Sequence, residues 1–348
     1  MSGAYEGRQF VGMDLHRRRS VLVRMTEAGE RLETVRISND REYLRRVMAR
    51  AGEAPEVVLE ATYGWYWAAD ALAELGARVH LAHPLGVTMF GLRRVKNDER
   101  DAADLADLLR MGRLPEAWIA PPATRELRGW VRHRAKLVGA RTGLKCQVHA
   151  LLAAAGVAVP MSDLFGPGGQ RLLAASPLAV ESRARVDSLL RLIGMLDFEI
   201  DTFARLVAGR LRGDPGYVAI QAIPGVGPVL AAVFVAEIGD VTRFARPQQL
   251  ASWAGLTPKH HESDTTCHRG RITKQGSRLV RWAAVEAVQR VPAQTRLGRL
   301  RDRVGERRGH NTGVVAAARE LVELVFYGLR DHQIRCLPAP ARTRARSA

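Results

Sequence analysis

Cysteine is scarce in this chain. Cys146, Cys267 and Cys336 stand far apart with no C-x-x-C pair, which argues against a disulfide framework or a structural zinc site and fits a reducing cytoplasm. No stretch of transmembrane length is free of charge, and the start, MSGAYEGRQFVGMDLHRRR, lacks the long apolar run of a signal peptide, so no membrane attachment is expected. The glycine-rich phosphate loop of nucleotide hydrolases is absent as well. Negative charge is in deficit: 36 Asp and Glu face 53 Lys and Arg, for a formal charge of +17. Such a balance favours a polyanionic partner through phosphate contacts and counterion release, without separating DNA from RNA. Lysine itself is rare, with only Lys96, Lys136, Lys145, Lys259 and Lys274. The remaining cations are guanidiniums, suited to forked phosphate and base-edge contacts. These features point to a cytoplasmic protein with a nucleic-acid partner.

At 348 residues the chain exceeds what one hydrophobic core normally serves, so more than one domain is expected. The first reads from residue 8 to 120. Phe10 to Met13 is an apolar run ending at Asp14, Ser20 to Met25 alternates as a strand, and Arg31 to Ile37 supplies a third. A helix fits Asp40 to Ala51, Val57 to Leu59 forms a buried strand ending at Glu60, Trp65 to Gly76 is helical, and Arg78 to Leu81 is a further strand. This order describes a mixed α/β sheet with helices on its faces.

Carboxylates mark the ends of these elements: Asp14, Glu60, then Asp98 and Asp101 in RRVKNDERDAADLADLL. The spacing of Asp98 and Asp101 places both on one face of a helix's first turn, with Asp98 as its cap. Converging hard oxygen ligands are what one or two divalent ions need for phosphoryl transfer. Two competing readings stand beside this one: Asp98 as a cap and Glu60 as a strand end only, or a different acidic register using Asp104 and Asp107.

Residues 122 to 210 read as an all-α connector. RELRGWVRHRAKLVGARTGLKCQVHALLAAAG spaces apolar residues by three and four, and after a break at Pro160 to Gly169 the pattern resumes through Val186, Leu189, Leu190, Ile193 and Leu196. Two antiparallel helices, an intersubunit coiled coil or an ordinary intramolecular bundle would each bury these stripes. A third domain, 217 to 330, opens with YVAIQAIPGVGPVLAAVFVAEIGD, whose turn at Gly225 and Gly227 has the look of a helix-hairpin-helix that offers backbone amides to nucleic acid, or of a plain structural corner. Leu250 to Leu256 is expected as helix, Thr257 to Gly270 as loop, and Ser277 to Arg290 as helix; residues 331 to 348 read as a flexible tail. Within HHESDTTCHRGRITKQG a hydroxyl nucleophile at Ser263 would sit among cations, and Arg269, Arg271, Lys274, Arg278 and Arg281 are the candidate nucleic-acid contacts. Ser277 is the nearest competing hydroxyl, read as a helix cap. His260, His261 and His268 form no complete metal-ligand pattern.

In this order, GMDLH, VLEATYG, VKNDERDAADLADLL, IPGVGPVLAAVFVAEIGD, FARPQQLASWAGLTPKHHES and GRITKQGSRLVRWAAVEA resemble the DEDD transposases of insertion sequences whose bridge RNA guides a serine-dependent recombination. The resemblance spans residues 9 to 330. It implies a ribonuclease-H-like resolvase domain followed by a small helical transposase domain, an acidic quartet of Asp14, Glu60, Asp98 and Asp101 holding Mg2+ or another divalent cation, and Ser263 as nucleophile. It also implies donor and target DNA, a noncoding bridge RNA, and a homotetramer assembled through dimers, with acids and serine from different subunits. Where the family has Ser-Gly, this chain has Ser263-Asp264. Two other classes fit the same residues: a metal-dependent junction-resolving nuclease in which water attacks, and a non-catalytic DNA-binding scaffold.

Overall fold

The computed structural model describes residues 5–89, 97–263 and 266–337; the side chains of His261, Cys267, His268 and Arg269 lie outside it, as does the expected tail beyond residue 337. The chain divides into two compact units, Met1–Ala120 and Pro121–Ala348.

The first unit is a mixed α/β layer structure. Strands β1 (Phe10–Leu15), β2 (Arg19–Met25), β3 (Arg31–Ser38), β4 (Glu56–Glu60), β5 (Arg78–Ala82) and β6 (Glu116–Ala117) form one sheet in the order β3-β2-β1-β4-β5-β6. β1, β2 and β3 pair antiparallel, β4 and β5 follow β1 in parallel, and β6 closes the edge antiparallel. This mixed sheet is consistent with a ribonuclease-H-like DEDD transposase. Helices α1 (Arg41–Met48) and α2 (Trp65–Glu74) cover one face, packing Leu44, Val47 and Leu72 on Val11, Met13, Val57 and Leu59. After the short α3 (Pro84–Val87), α4 (Asp98–Arg110) covers the other face, with Ala102 and Ala106 on Val21 and Val23, and Leu105 and Leu109 on Phe10 and Val58. Strand residues thus split by parity between the two helical layers.

The second unit begins with two long helices, α5 (Pro122–Ala154) and α7 (Val180–Leu211), joined through α6 (Pro167–Ala175). Leu127 and Val131 at the start of α5 share a cluster with Val207 and Leu211 at the end of α7, whereas Val148 and Leu152 share one with Val186 and Ile193. The pair is therefore antiparallel and lies within one chain. Buried positions Val186, Ile193, Ile200 and Val207 recur every seven residues, the spacing of a two-helix seam. Near its middle the seam carries charge, where Arg141 pairs with Asp197.

Next come α8 (Pro215–Ile220), α9 (Pro228–Ile238), a 3-10 turn at Val241–Arg243, and α10 (Pro247–Trp253). A hairpin of β7 (Pro258–Ser263) and β8 (Thr266–Ile272) follows, then α11 (Arg278–Gln289), α12 (Arg296–Arg308) and α13 (His310–Asp331). The core of this part gathers Phe234, Leu250, Val280, Leu321 and Phe326, joined by Leu127 and Val131 from α5. The segment expected as a loop from Thr257 is thus a two-stranded ladder. Its sequence hides this because no described side chain of the hairpin is fully buried and no apolar alternation marks it; the ladder of paired residues defines the strands.

Candidate active site

Asp14 from β1, Glu60 from β4, and Asp98 and Asp101 from α4 line one cavity of about 970 Å³. The sheet explains the convergence. Phe10 and Val58 pack toward α4, so Gly12, Asp14 and Glu60, an even number of residues onward, share that face. Parallel register pairs Gly12 with Val58 and Met13 with Leu59, and the same offset carried one step further sets Asp14 beside Glu60. Gly12 is also where the helix crosses: a Cβ there would meet the Ala102 carbonyl oxygen at 1.8 Å. Only glycine lets α4 lie so close to β1.

The start of α4 departs from expectation in one respect. Its cap is Asn97, extended at φ −149 and ψ 123, whose side chain accepts the Glu99 amide at 3.0 Å. Asp98 is the first helical residue instead, and its carboxylate is released from capping. Asp101 follows on the same face, and acids in a first turn also favour the positive end of the helix dipole.

Electrostatics within the cavity are unbalanced. Burial, above all, pushes the Asp14 carboxyl above the usual carboxylate range; Asp98 and Asp101 push it the same way, and His16 opposes them. The His16 Nε2 lies 3.1 Å from Asp14 Oδ2 and 3.5 Å from Asp98 Oδ1. Asp14, His16 and Asp98 each offer a ligand atom, all within 4.8 Å of one another. Hard oxygen donors that repel one another around a shared space fit a divalent cation, which would relieve that repulsion. His16 was not among the residues singled out in the sequence. It lies two residues past Asp14, so strand parity is the signal that points to it. Tyr63, an exposed ring that also lines the cavity, follows the end of β4 by three residues, where no strand parity points to it.

Ser263 belongs to the other unit. It ends β7, opposite Thr266, and is exposed; Asp264 lies outside the described residues. The hairpin is held at its root. Thr273 and Lys274 donate their amides to the carbonyls of Thr257 and Gly255 at 2.9 and 3.1 Å, and Lys274 takes a left-handed φ of 56. Arg281 Nη1 donates to the carbonyls of Ala254, Gln275 and Gly276 at 2.9, 2.7 and 3.3 Å. That guanidinium is committed to the turn below the hairpin. Ser277 caps α11, accepting from the Val280 amide at 3.3 Å, and its hydroxyl donates to Glu237 at 3.0 Å. The competing hydroxyl is therefore spoken for.

Of the remaining candidates, Arg271, Lys274 and Arg278 are exposed, while the Arg269 side chain is outside the described residues. Gly225 has φ +89 and faces α11, where a Cβ would meet the Ala287 carbonyl oxygen at 2.2 Å. Its conformation and its packing both demand glycine. Gly227 precedes Pro228 at the exposed start of α9.

Residues 11–156 match the DEDD family of IS110-type proteins, described as "Transposase", and residues 218–304 match the "Transposase IS116/IS110/IS902 family". Over 236 residues the chain is 29% identical to a probable family 20 transposase of Pseudomonas aeruginosa, covering 65% of this chain and 68% of that one. It is 26% identical to the 44.8 kDa protein of insertion element IS116 from Streptomyces clavuligerus, across 97% and 98% of the two chains. The transposase of insertion sequence IS1111A from Coxiella burnetii is 24% identical, with 80% and 79% covered. With both halves matched in order and the four acids gathered around one cavity, the chain belongs to the IS110/IS116 family of DEDD transposases, enzymes that cleave and recombine DNA.

Proposed function

We propose that this transposase cuts and exchanges DNA strands for its insertion sequence with Asp14, Glu60, Asp98 and Asp101 as the holders of a divalent cation and Ser263 as the attacking hydroxyl. The observation that carries the acidic half is the meeting of β1, β4 and α4 at one cavity, each contributing carboxylate. When bound, the cation supplies positive charge to the reacting phosphate. The carboxylates orient it.

Ser263 supports the second half of the reading by its exposure and by the cations nearby in sequence, Arg271 and Lys274. In this scheme its oxygen forms a bond to phosphorus while one deoxyribose oxygen leaves with the proton, and the reverse exchange reseals a new strand. A noncoding bridge RNA guides the choice of donor and target, and a homotetramer built from dimers brings acids and serine together from different subunits. The domain scheme goes with this reading: 8–120 for the acids, 122–210 as connector, 217–330 for the serine. Hydrolysis by water is the second reading, favoured by the fact that all four acids lie in a unit that lacks Ser263.

Trapping separates the two. With the element's DNA ends and flanking transcripts, the native chain is expected to form a covalent DNA adduct on the peptide containing Ser263, and Ser263→Ala to form neither adduct nor recombinant. Scission without an adduct selects the nuclease, and full recombination by Ser263→Ala rules out the serine.

A further inference from the structure

The carboxy-terminal unit holds a second cavity, of about 610 Å³, between α5, α7, α9 and α11. Its size is in the range of about 300–1,000 Å³ typical of small-molecule sites. The cause is local: where the α5–α7 seam would carry large apolar residues, it has Ala135 and Gly139 on one helix and Ala204 and Ala208 on the other. The floor is apolar, with Val131, Val138 and Val233, and the Trp282 ring at the wall is 46% exposed. Large aromatics left half-bare beside a cavity are uncommon without a partner for the ring.

Three arginines, Arg134, Arg205 and Arg278, also line the cavity, and among the described residues no Asp or Glu does. Arg134 Nε is buried with no hydrogen-bond partner. Burial, then repulsion from Arg141, holds the Arg134 guanidinium below the usual arginine range, with Asp201 opposing. A partly desolvated cation with an unpaired donor favours an anion beside it. The cavity therefore offers an aromatic face, an apolar floor and cationic donors together, the combination that receives a base and its phosphate.

We infer that this cavity receives an unpaired nucleotide of an RNA strand, its base against Trp282 and its phosphate on Arg134 and Arg205. RNA is the occupant because a base must be free of its stack to enter, and folded RNA presents such bases in loops and bulges, whereas duplex DNA must first extrude one. The inference deepens the guide-RNA reading and rests on it, naming where one nucleotide of that RNA is held.

The test uses the full chain and 5′-labelled oligouridine at fixed salt, with oligothymidine and a DNA duplex as comparators. Trp282→Ala is expected to weaken oligouridine binding roughly tenfold, the effect of removing one base-stacking ring. Trp282→Phe should keep most of the affinity, and Arg205→Gln, at an exposed position, should weaken it with the melting temperature unchanged. A 4-thiouridine crosslink should map to the peptide carrying Trp282. Unchanged affinity in Trp282→Ala overturns the cavity while leaving RNA binding in place; failure of the native chain to bind any RNA overturns the guide reading with it. Oligothymidine bound as tightly, with the same dependence on Trp282, overturns the assignment to RNA. A sedimentation shift in Trp282→Ala with RNA affinity intact assigns the cavity to an interface between subunits and likewise overturns it.

Discussion

Residues 1–120 hold 18 Lys and Arg against 18 Asp and Glu, whereas residues 121–348 hold 35 against 18, so the chain's entire +17 excess lies in the carboxy-terminal unit. The two units differ in construction as sharply as in charge. One builds its site on a sheet, where parallel register through Met13 and Leu59 brings Asp14 and Glu60 to neighbouring strand ends and Gly12 seats the helix that brings Asp98 and Asp101. The other is helical and displays Ser263, exposed, on a hairpin fastened at its root. A cluster of carboxylates needs a rigid frame to hold like charges together. Attraction of a polyanion needs only a surplus of cations over a broad surface. Dividing these tasks lets each unit meet one electrostatic demand.

The division breaks most severely at the acids. Asn in place of Asp14, Asp98 or Asp101, or Gln in place of Glu60, is expected to cut strand transfer by about a thousandfold or more, the loss of several kcal/mol of charge stabilisation. DNA affinity should be nearly unmoved, since the cationic excess lies in the other unit. Strand-transfer assays beside filter binding on the same preparations check both halves, and wild-type transfer by all four variants would remove the metal centre.

Structural damage can be aimed at either unit separately. Glu237 is 4% exposed and receives Arg132 through two bonds of 2.7 and 3.0 Å. Arg132→Met takes the counter-charge from that carboxylate, leaving it the Ser277 hydroxyl, and is expected to cost about 3 kcal/mol in denaturant unfolding of the carboxy-terminal unit. Gly12→Ala forces α4 away from β1, for a cost of about 1–3 kcal/mol in the amino-terminal unit and a loss of strand transfer with it. An unaltered unfolding curve for Gly12→Ala would show that the helix crossing tolerates a methyl group.

A smaller effect concerns salt. Neutralising Arg269, Arg271 and Lys274 together should weaken DNA association and flatten the slope of log affinity against log salt by roughly 2–3, about one unit for each phosphate that no longer meets a cation. The same number of neutralisations at exposed arginines of the amino-terminal unit should change it less. Equal slopes for the two sets would erase the contrast between units.

The subtlest expectation is a pH effect without metal. Burial, and then Asp98 and Asp101, raise the Asp14 carboxyl, so the folded chain holds that proton to higher pH than the unfolded chain. Its contribution is thus complete below the ordinary carboxylate range and is lost as pH rises through the raised value. Melting temperature should fall across that window, and Asp14→Asn should flatten the fall and melt a few degrees higher at neutral pH. Added Mg2+ should raise the native chain alone; equal gains in Asp14→Asn would place the ion elsewhere.

Much of this was legible in the residues themselves. Strand and helix periods located β1, β2, β4 and α4, because each buries a face and burial writes itself into apolar spacing. The ordered acids and the charge excess pointed to nucleic-acid chemistry for the same kind of reason: few side chains do that work. What escaped were features with no apolar signature. The hairpin of β7 and β8 carries no apolar alternation, so the backbone ladder is what reveals it. Asn97 displaced Asp98 as cap because two neighbouring residues of like capping ability differ only in where the helix begins. His16 entered the acid cluster through the geometry at the end of β1, and the Trp282 cavity exists because small residues on α5 and α7 meet across a seam. Local sequence determined most of the elements, the acids and each unit's balance of charge, since those depend on residues near one another in the chain. Which side chains share a cavity was decided by tertiary structure alone, because register, helix crossing and seam packing join residues that the chain keeps apart.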